Sequence, residues 1–273
     1  MLRSSDGWQV RVAALTDVGP VRMHNEDSVA VLVPGEAELG MPDGQWTTGR
    51  VRQLATDAGV GLLVLDGLGG QSTGDVPCSR VLESLTASFT AGVPGEPEAQ
   101  GPWLVDALRR ASVYTRERGT PHAGQGATAA LAVVHGAVMH IVHAGDVRAY
   151  LLRDGRLEQR TRDDSLRNDA LDQGFDAEQL RDLPRGIITQ ALGYGDIEPH
   201  LQSFALAAGD VLLLCSDGLH EFVAAEALAA TLQSRDDPAQ VCAELVAMAV
   251  NAHSTDNISA LVARIERGAP SGQ

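Results

Sequence analysis

Val64-Leu65-Asp66-Gly67-Leu68-Gly69-Gly70-Gln71-Ser72-Thr73-Gly74 is the stretch whose reading decides the fold. An apolar run, Val60 to Leu65, ends in one acid, four glycines fall in the next eight positions, and the amphipathic stretch Asp75 to Thr90 follows. This predicts strand, tight loop and helix. Glycines let backbone approach closely, and an acid at a strand end projects its carboxylate from a rigid element. Such a pair suits a cation or a phosphate, although an isolated Asp-Gly is more often an ordinary turn. The dinucleotide pattern G-x-G-x-x-G fails, because Ser72 stands where the third glycine belongs. The P-loop needs a lysine and the chain has none, which also excludes lysine-dependent kinase and Schiff-base chemistry.

With 273 residues, 44% of them apolar, the chain can bury a sizeable core, and one domain is expected. A net charge of -15, from 36 acids against 21 arginines, repels nucleic acid and anionic membranes. Cys78, Cys215 and Cys242 are odd in number and lie far apart, so neither a disulfide framework nor a zinc site is expected. No apolar run has the length to cross a bilayer, and a soluble protein of the reducing cytoplasm is expected. The polar end, 268–273, is expected to fray.

Val10, Val12 and Ala14 alternate as a half-buried strand does, and Asp27 to Val33 resumes one after a charged loop containing Arg22, Glu26 and Asp27. Residues 34–58 are read as a long loop or hairpin insertion, and Gly92 to Gly101 as a Pro/Gly-rich linker before a helix from Trp103 to Arg118. Hairpins are expected about His135-Gly136-Ala137 and about Asp154-Gly155. His140 and His143, three apart on a strand, face opposite sides and are discounted as a ligand pair. Residues 161–186 are charged and poor in apolar side chains; they are read as an exposed flap with a helix cap at Asp176. Strands at Glu198 to Ala205 and Val211 to Cys215, helices at Ala224 to Gln233 and Pro238 to His253, and a last strand at Ile258 to Ile265 complete the pattern.

Strand, Asp, Gly occurs twice, at Asp66 and Asp217, and Asp256 precedes the last strand. Three carboxylates at strand ends that converge cannot all stay ionised without positive charge. Hard oxygen donors, without the His and Cys ligands of zinc, point to Mg2+ or Mn2+.

In order, the chain resembles the metal-dependent PPM/PP2C-type serine/threonine protein phosphatases of the compact bacterial type. The blocks are Thr16-Asp17-Val18-Gly19 with Arg22 and Asn25-Glu26-Asp27; Asp66-Gly67-Leu68-Gly69-Gly70; Gly124-Gln125-Gly126-Ala127-Thr128; Gly145-Asp146-Val147-Arg148-Ala149-Tyr150; Thr161-Arg162-Asp163-Asp164-Ser165; Ile188 to Gly193; Ser216-Asp217-Gly218-Leu219; and Asp256-Asn257-Ile258. The resemblance spans about residues 10 to 265 and implies an α+β fold: two antiparallel β-sheets in a sandwich flanked by helices, a four-layer α/β/β/α arrangement, with its core over about residues 9–266. It implies two Mn2+ or Mg2+ ions, Asp66 bridging them, the Gly67 carbonyl on one, and Asp217 and Asp256 on the other. Asp146 and Asp163 match acids of a third, weaker site, Glu26 and Asp27 would order water, and Arg22 would fork onto the phosphate. If Glu26 and Asp27 were adjacent on a strand, only one could face the site.

The implied activity is hydrolysis of phosphoserine and phosphothreonine in proteins, with a Ser/Thr kinase as the source of substrate. Alternatives are a catalytically silent module that binds phosphoproteins, and a hydrolase of small phosphate esters. Departures from the family pattern cluster near the third site and the flap: Val147 for serine, Asp164 for histidine, Gly186 for asparagine and Gln190 for arginine. Leu68 stands where other members carry methionine or histidine, so no histidine acid is available there.

Overall fold

The computed structural model describes residues 7–34, 36–40, 51–69, 75–119, 125–184 and 186–268. Gly70 to Gly74, Gly124, ten residues of the insertion (41–50) and the end at 269–273 fall outside them. In chain order the elements are β1 (Trp8–Asp17), β2 (Ser28–Val33), β3 (Glu36–Gly40), β4 (Arg52–Ala55), β5 (Val60–Leu68), α1 (Asp75–Thr90), α2 (Pro97–Arg118), β6 (Gly126–His135) and β7 (Val138–Ala144). After these come β8 (Arg148–Arg153), β9 (Arg156–Gln159), α3 (Leu166–Asp172), β10 (His200–Ala205), β11 (Val211–Cys215), α4 (Asp217–His220), α5 (Ala225–Ser234), α6 (Pro238–Asn251) and β12 (Ile258–Arg267).

Two six-stranded sheets result, ordered β4-β1-β12-β11-β8-β9 and β10-β7-β6-β5-β2-β3. Period-two side-chain alternation sorts their residues into layers. Val10, Val12, Leu212, Leu214 and Leu261 of the first sheet face Val29, Val31, Leu62, Val64 and Ala130 of the second. The outer face of the second sheet, including Leu63, Leu65 and Leu131, buries the α1 and α2 stripe of Val81, Leu85, Phe89, Leu104 and Leu108. Leu213 and Val262 of the first sheet pack under Leu228, Leu232, Val241 and Leu245 of α5 and α6. This is the expected four-layer α+β sandwich. Each such side chain, fully buried, contributes about 1.5–3 kcal/mol.

Both expected hairpins form, the second through Asp154 and Gly155 at φ 51 and 76. His140 bonds Gln100 of α2 while His143 accepts or donates at Arg162 on the other face, in keeping with their discounted pairing. Three boundaries differ from the sequence reading. Helix α2 starts at Pro97 rather than Trp103, because a proline at the first helical position has no intrahelical N–H to lose. Gly101 lies inside it, against Leu201 of β10, where a Cβ would crowd that side chain. The 34–58 insertion supplies an edge strand to each sheet, β3 beside β2 and β4 beside β1. In the flap, Ser165 caps α3 by accepting from the Asn168 N–H, while Asp176 accepts from Glu178 and Gln179 and so opens only a turn.

Candidate metal centre

At one end of the sandwich the inward apolar rows turn polar. On the first sheet Thr16, Ser216 and Ser259 continue the inner rows of β1, β11 and β12; on the second, Asp66 and Thr128 continue those of β5 and β6, paired across the ladder. Strand β5 therefore runs on through Asp66 instead of ending before it, which fixes the direction of the carboxylate.

Asp27 extends the inner row of β2 and is buried. Its Oδ2 accepts from the hydroxyls of Ser216 and Ser259, each at 2.7 Å, tying the second sheet to the first. Glu26 lies just before the strand and is only half-buried, so of the two neighbours Asp27 is the one that faces inward. Ser216 and Ser259 had no role in the sequence reading; hydroxyls closing otherwise apolar inward rows were the available signal.

The loop carrying Arg22 is gripped by the segment before β12. Asn257 donates to the carbonyls of Val18 and His24, both at 2.9 Å, and accepts from the Glu26 N–H at 2.8 Å. Gly19, at φ 73, lies on one side of the Asp256-Asn257 backbone and Gly218 on the other; a Cβ on either would overlap a carbonyl oxygen of that segment. Arg22 Nη2 bonds Asp256 Oδ2 at 2.5 Å. Gly218→Ala is therefore expected to lower stability by several kcal/mol, about the scale of strained or overpacked core variants. Chemical denaturation would read this as a large fall in midpoint, with wild-type stability contradicting the close packing.

Asp66, Asp217, Asp27 and Asp146 feel one another's charge, and among the described residues no arginine or histidine pairs with any of them. Burial first, then this mutual repulsion, pushes Asp217 up to about 8 and Asp66 well above the carboxylate range. Asp66 keeps an edge toward solvent but is hemmed in by protein, which makes its desolvation large. Asp27 is raised to about 7 by burial despite its two hydroxyl donors, and Asp146 to about 6 by burial and by Asp163. Carboxylates raised on folding stabilise the fold below their unfolded pKa of about 4, and that stability is lost as pH climbs through the folded values. The metal-free melting temperature is expected to fall between pH 5 and pH 8, and Mn2+ to restore it most at pH 8. A melting temperature flat in pH and unmoved by Mn2+ would contradict the cluster.

Asp146 sits in the β7–β8 turn behind Gly145, whose φ of 101 brings its backbone against Thr128. Its Oδ1 is sealed from solvent without a hydrogen-bond partner among the described residues, as is Thr128 Oγ1. Thr128 eases the Asp146 charge without closing a well-formed bond. Around it, His220 Nε2 donates to the Asp146 carbonyl at 3.0 Å, and Asp164 accepts from the Gly145 N–H at 2.8 Å and from His200 at 2.9 Å. Asp163 is placed differently from Asp146, since Arg148 forks onto both its oxygens at 2.8 and 2.6 Å.

The donor set fits a divalent cation: hard oxygens, a shared buried negative field, and one carboxylate oxygen with nothing to bond. Asp66, Asp217 and Asp146 have no arginine or histidine side-chain partner among the described residues for an ion to displace. Asp256 and Asp163 would first have to share or release their arginines. Among the described residues no three His, Cys, Asp or Glu side chains close into a finished ligand cage.

No family model matches the chain. It is 32% identical over 259 residues to the serine/threonine protein phosphatase PstP of Mycobacterium tuberculosis, covering 94% of this chain and 45% of that protein. The chain thus spans about half the length of that relative. It matches the protein phosphatase PhpP of Streptococcus pneumoniae over that protein's full length, at 28% identity and 95% of this chain. The crystal structure of the PstP catalytic domain in complex with two manganese ions superposes with a TM-score of 0.71 at 29% identity, over 95% of this chain and 99% of that one. Serine/threonine phosphatase Stp1 from Staphylococcus aureus gives 0.77 at 26% identity, over 93% and 94%. The likeness in sequence and in architecture to these bacterial serine/threonine phosphatases runs along nearly all of the chain.

Proposed function

We propose that the chain is a single phosphatase domain that hydrolyses phosphoserine and phosphothreonine monoesters in proteins, with two divalent ions, Mn2+ or Mg2+, and a third, weaker site. Asp66, the Gly67 carbonyl, Asp217 and Asp256 would hold the pair, and Asp146 the third, with Asp163 joining once Arg148 lets go. Bound there, the ions would lower the pKa of a water and neutralise phosphate charge. Arg22 offers a planar, permanently charged fork to two phosphate oxygens, orienting the ester for in-line attack and countering the charge that moves in transfer. Asp27, held by two hydroxyls, is rigid enough to orient a water, and Glu26 stands at the rim beside it.

The observation that carries this reading is the gathering of Asp66, Asp217, Asp27 and Asp146 at one end of the sandwich, with no arginine or histidine pairing with them among the described residues. Two manganese ions in the PstP catalytic domain support it. Three buried cysteines fit a reducing cytoplasm, where a Ser/Thr kinase would supply the substrate. No helix among the described residues is long and apolar enough to cross a membrane.

The test is turnover of phosphoserine, phosphothreonine and phosphotyrosine peptides by metal-stripped protein, with and without added Mn2+ or Mg2+. Metal-dependent release of phosphate from the first two is expected. Absence of turnover in excess Mn2+, with no heat of Mn2+ binding, would overturn the proposal.

A further inference from the structure

The loop that carries Arg22 is held rigidly, yet its apolar side chains point away from the core. Val18 is 38% exposed, Val21 60% and Met23 88%, three within six residues of a chain with net charge -15. A single exposed apolar residue needs no explanation, but a run of them marks a contact surface. Fraying does not account for it. Both ends of the loop are bonded to Asn257, Gly19 is pressed onto the Asp256 backbone, and Arg22 itself is bonded to Asp256. With the backbone so fixed, Val21 and Met23 cannot fold back onto the core without breaking those contacts. They are also the two immediate neighbours of the guanidinium assigned above to the phosphate.

We propose that Val21 and Met23, with Val18 beside them, form an apolar lip that receives an apolar side chain next to the phosphorylated residue. The preferred substrates are then phosphoproteins with a Leu, Met or Phe within two positions of the phosphoserine or phosphothreonine. This rests on the phosphatase reading and adds the sequence class that it selects. An extended peptide advances about 3.3 Å per residue, so a side chain one or two positions from the phosphate reaches residues flanking the one that binds it. Acidic flanks are disfavoured by the long-range field of a chain whose net charge is -15. Hydrophobic contact is then the available source of affinity beyond the phosphate.

The experiment compares phosphothreonine peptides with alanine flanks, each carrying one Leu or one Asp at the two positions before or after the phosphate. They are tested on the wild-type protein and on the double variant Val21→Ser/Met23→Ser, with Mn2+, and with p-nitrophenyl phosphate as a substrate that has no flanks. In the wild type, Leu at one position is expected to raise kcat/KM about 5–20-fold through KM, the scale of one apolar group in a partly open pocket. In the double variant that gain should shrink below about twofold, with p-nitrophenyl phosphate turnover kept within about twofold and melting temperature unchanged. Val21→Leu/Met23→Leu should retain the preference. Equal rates on all wild-type peptides, or an undiminished Leu preference in the double variant, would overturn the lip. Failure of the wild type to turn over even p-nitrophenyl phosphate would instead overturn the phosphatase reading beneath it.

Discussion

Asp66→Asn is expected to remove at least about a thousandfold of turnover while making the metal-free protein more stable at pH 8. The two effects have one cause. Asp66 is the acid raised by all of Asp27, Asp217, Asp146 and Asp256, so as a carboxylate it costs the fold stability in proportion to the charge it provides for a cation. The amide keeps the shape and the place in β5, opposite Thr128, but carries no charge. For a domain of this size, each kcal/mol of repulsion relieved raises the melting temperature by about 2–4 °C. The same variant should lose most of the melting-temperature rise that Mn2+ gives the wild type. Measured together, activity, metal-free melting and Mn2+-dependent melting separate a functional acid from a structural one. An inactive Asn variant that is less stable without metal, and still stabilised by Mn2+ as the wild type is, would show that Asp66 holds the fold and not the ion.

Arg22→Ala is expected to lower kcat/KM on phosphopeptides by about a hundredfold, the usual loss when one charge-stabilising donor is removed from a phosphoryl-transfer site. Its side chain is half exposed, at 50%, and its pair with Asp256 lies at the surface, so folding should change by less than about 1 kcal/mol. Burial works against the charge, yet the bond to Asp256 and the fields of Asp256, Glu26 and Asp217 keep its pKa above the ordinary guanidinium value. Mn2+ affinity is expected to stay within about threefold, because in the proposed site Arg22 would compete with an ion for Asp256 and would supply no ligand. Arg22→Lys should recover part of the rate, since it restores charge without the fork. A large loss of Mn2+ binding in Arg22→Ala, measured by calorimetry, would move the arginine from the phosphate to the support of the metal ligands.

The layers were legible because period-two and period-3.6 patterns are local: Val10, Val12 and Ala14, or Val81, Leu85 and Phe89, announce their faces without help from the rest of the chain. The acids at 66, 217 and 256 were legible from their places beside strands, and the fields of Asp217 and Asp256 act on Asp66. What the sequence hid was pairing between distant segments. Nothing near Asp163 says that Arg148 will fork onto it from the neighbouring strand, and nothing near Asn257 says that it will span Val18, His24 and Glu26. The α2 start was hidden for another reason: Pro97 and Gly101 are loop residues by composition, yet one suits a helix's first position and the other a close crossing. Composition cannot distinguish those uses.

Strand β12 lies in the interior of its sheet, between β1 and β11, and is the last element of the order given above. It follows directly on the segment that brings Asp256 and holds the Arg22 loop. During synthesis, β1 leaves the ribosome roughly ten to fifty seconds before β12 does, at about 5–20 residues per second. Throughout that interval β1, and β11 once it is made, lack the neighbour that β12 supplies, and unpaired edges of this kind recruit other chains. The emerging polypeptide is therefore prone to misassociation until β12 slots in, so a chain cut before Ile258 is expected to aggregate.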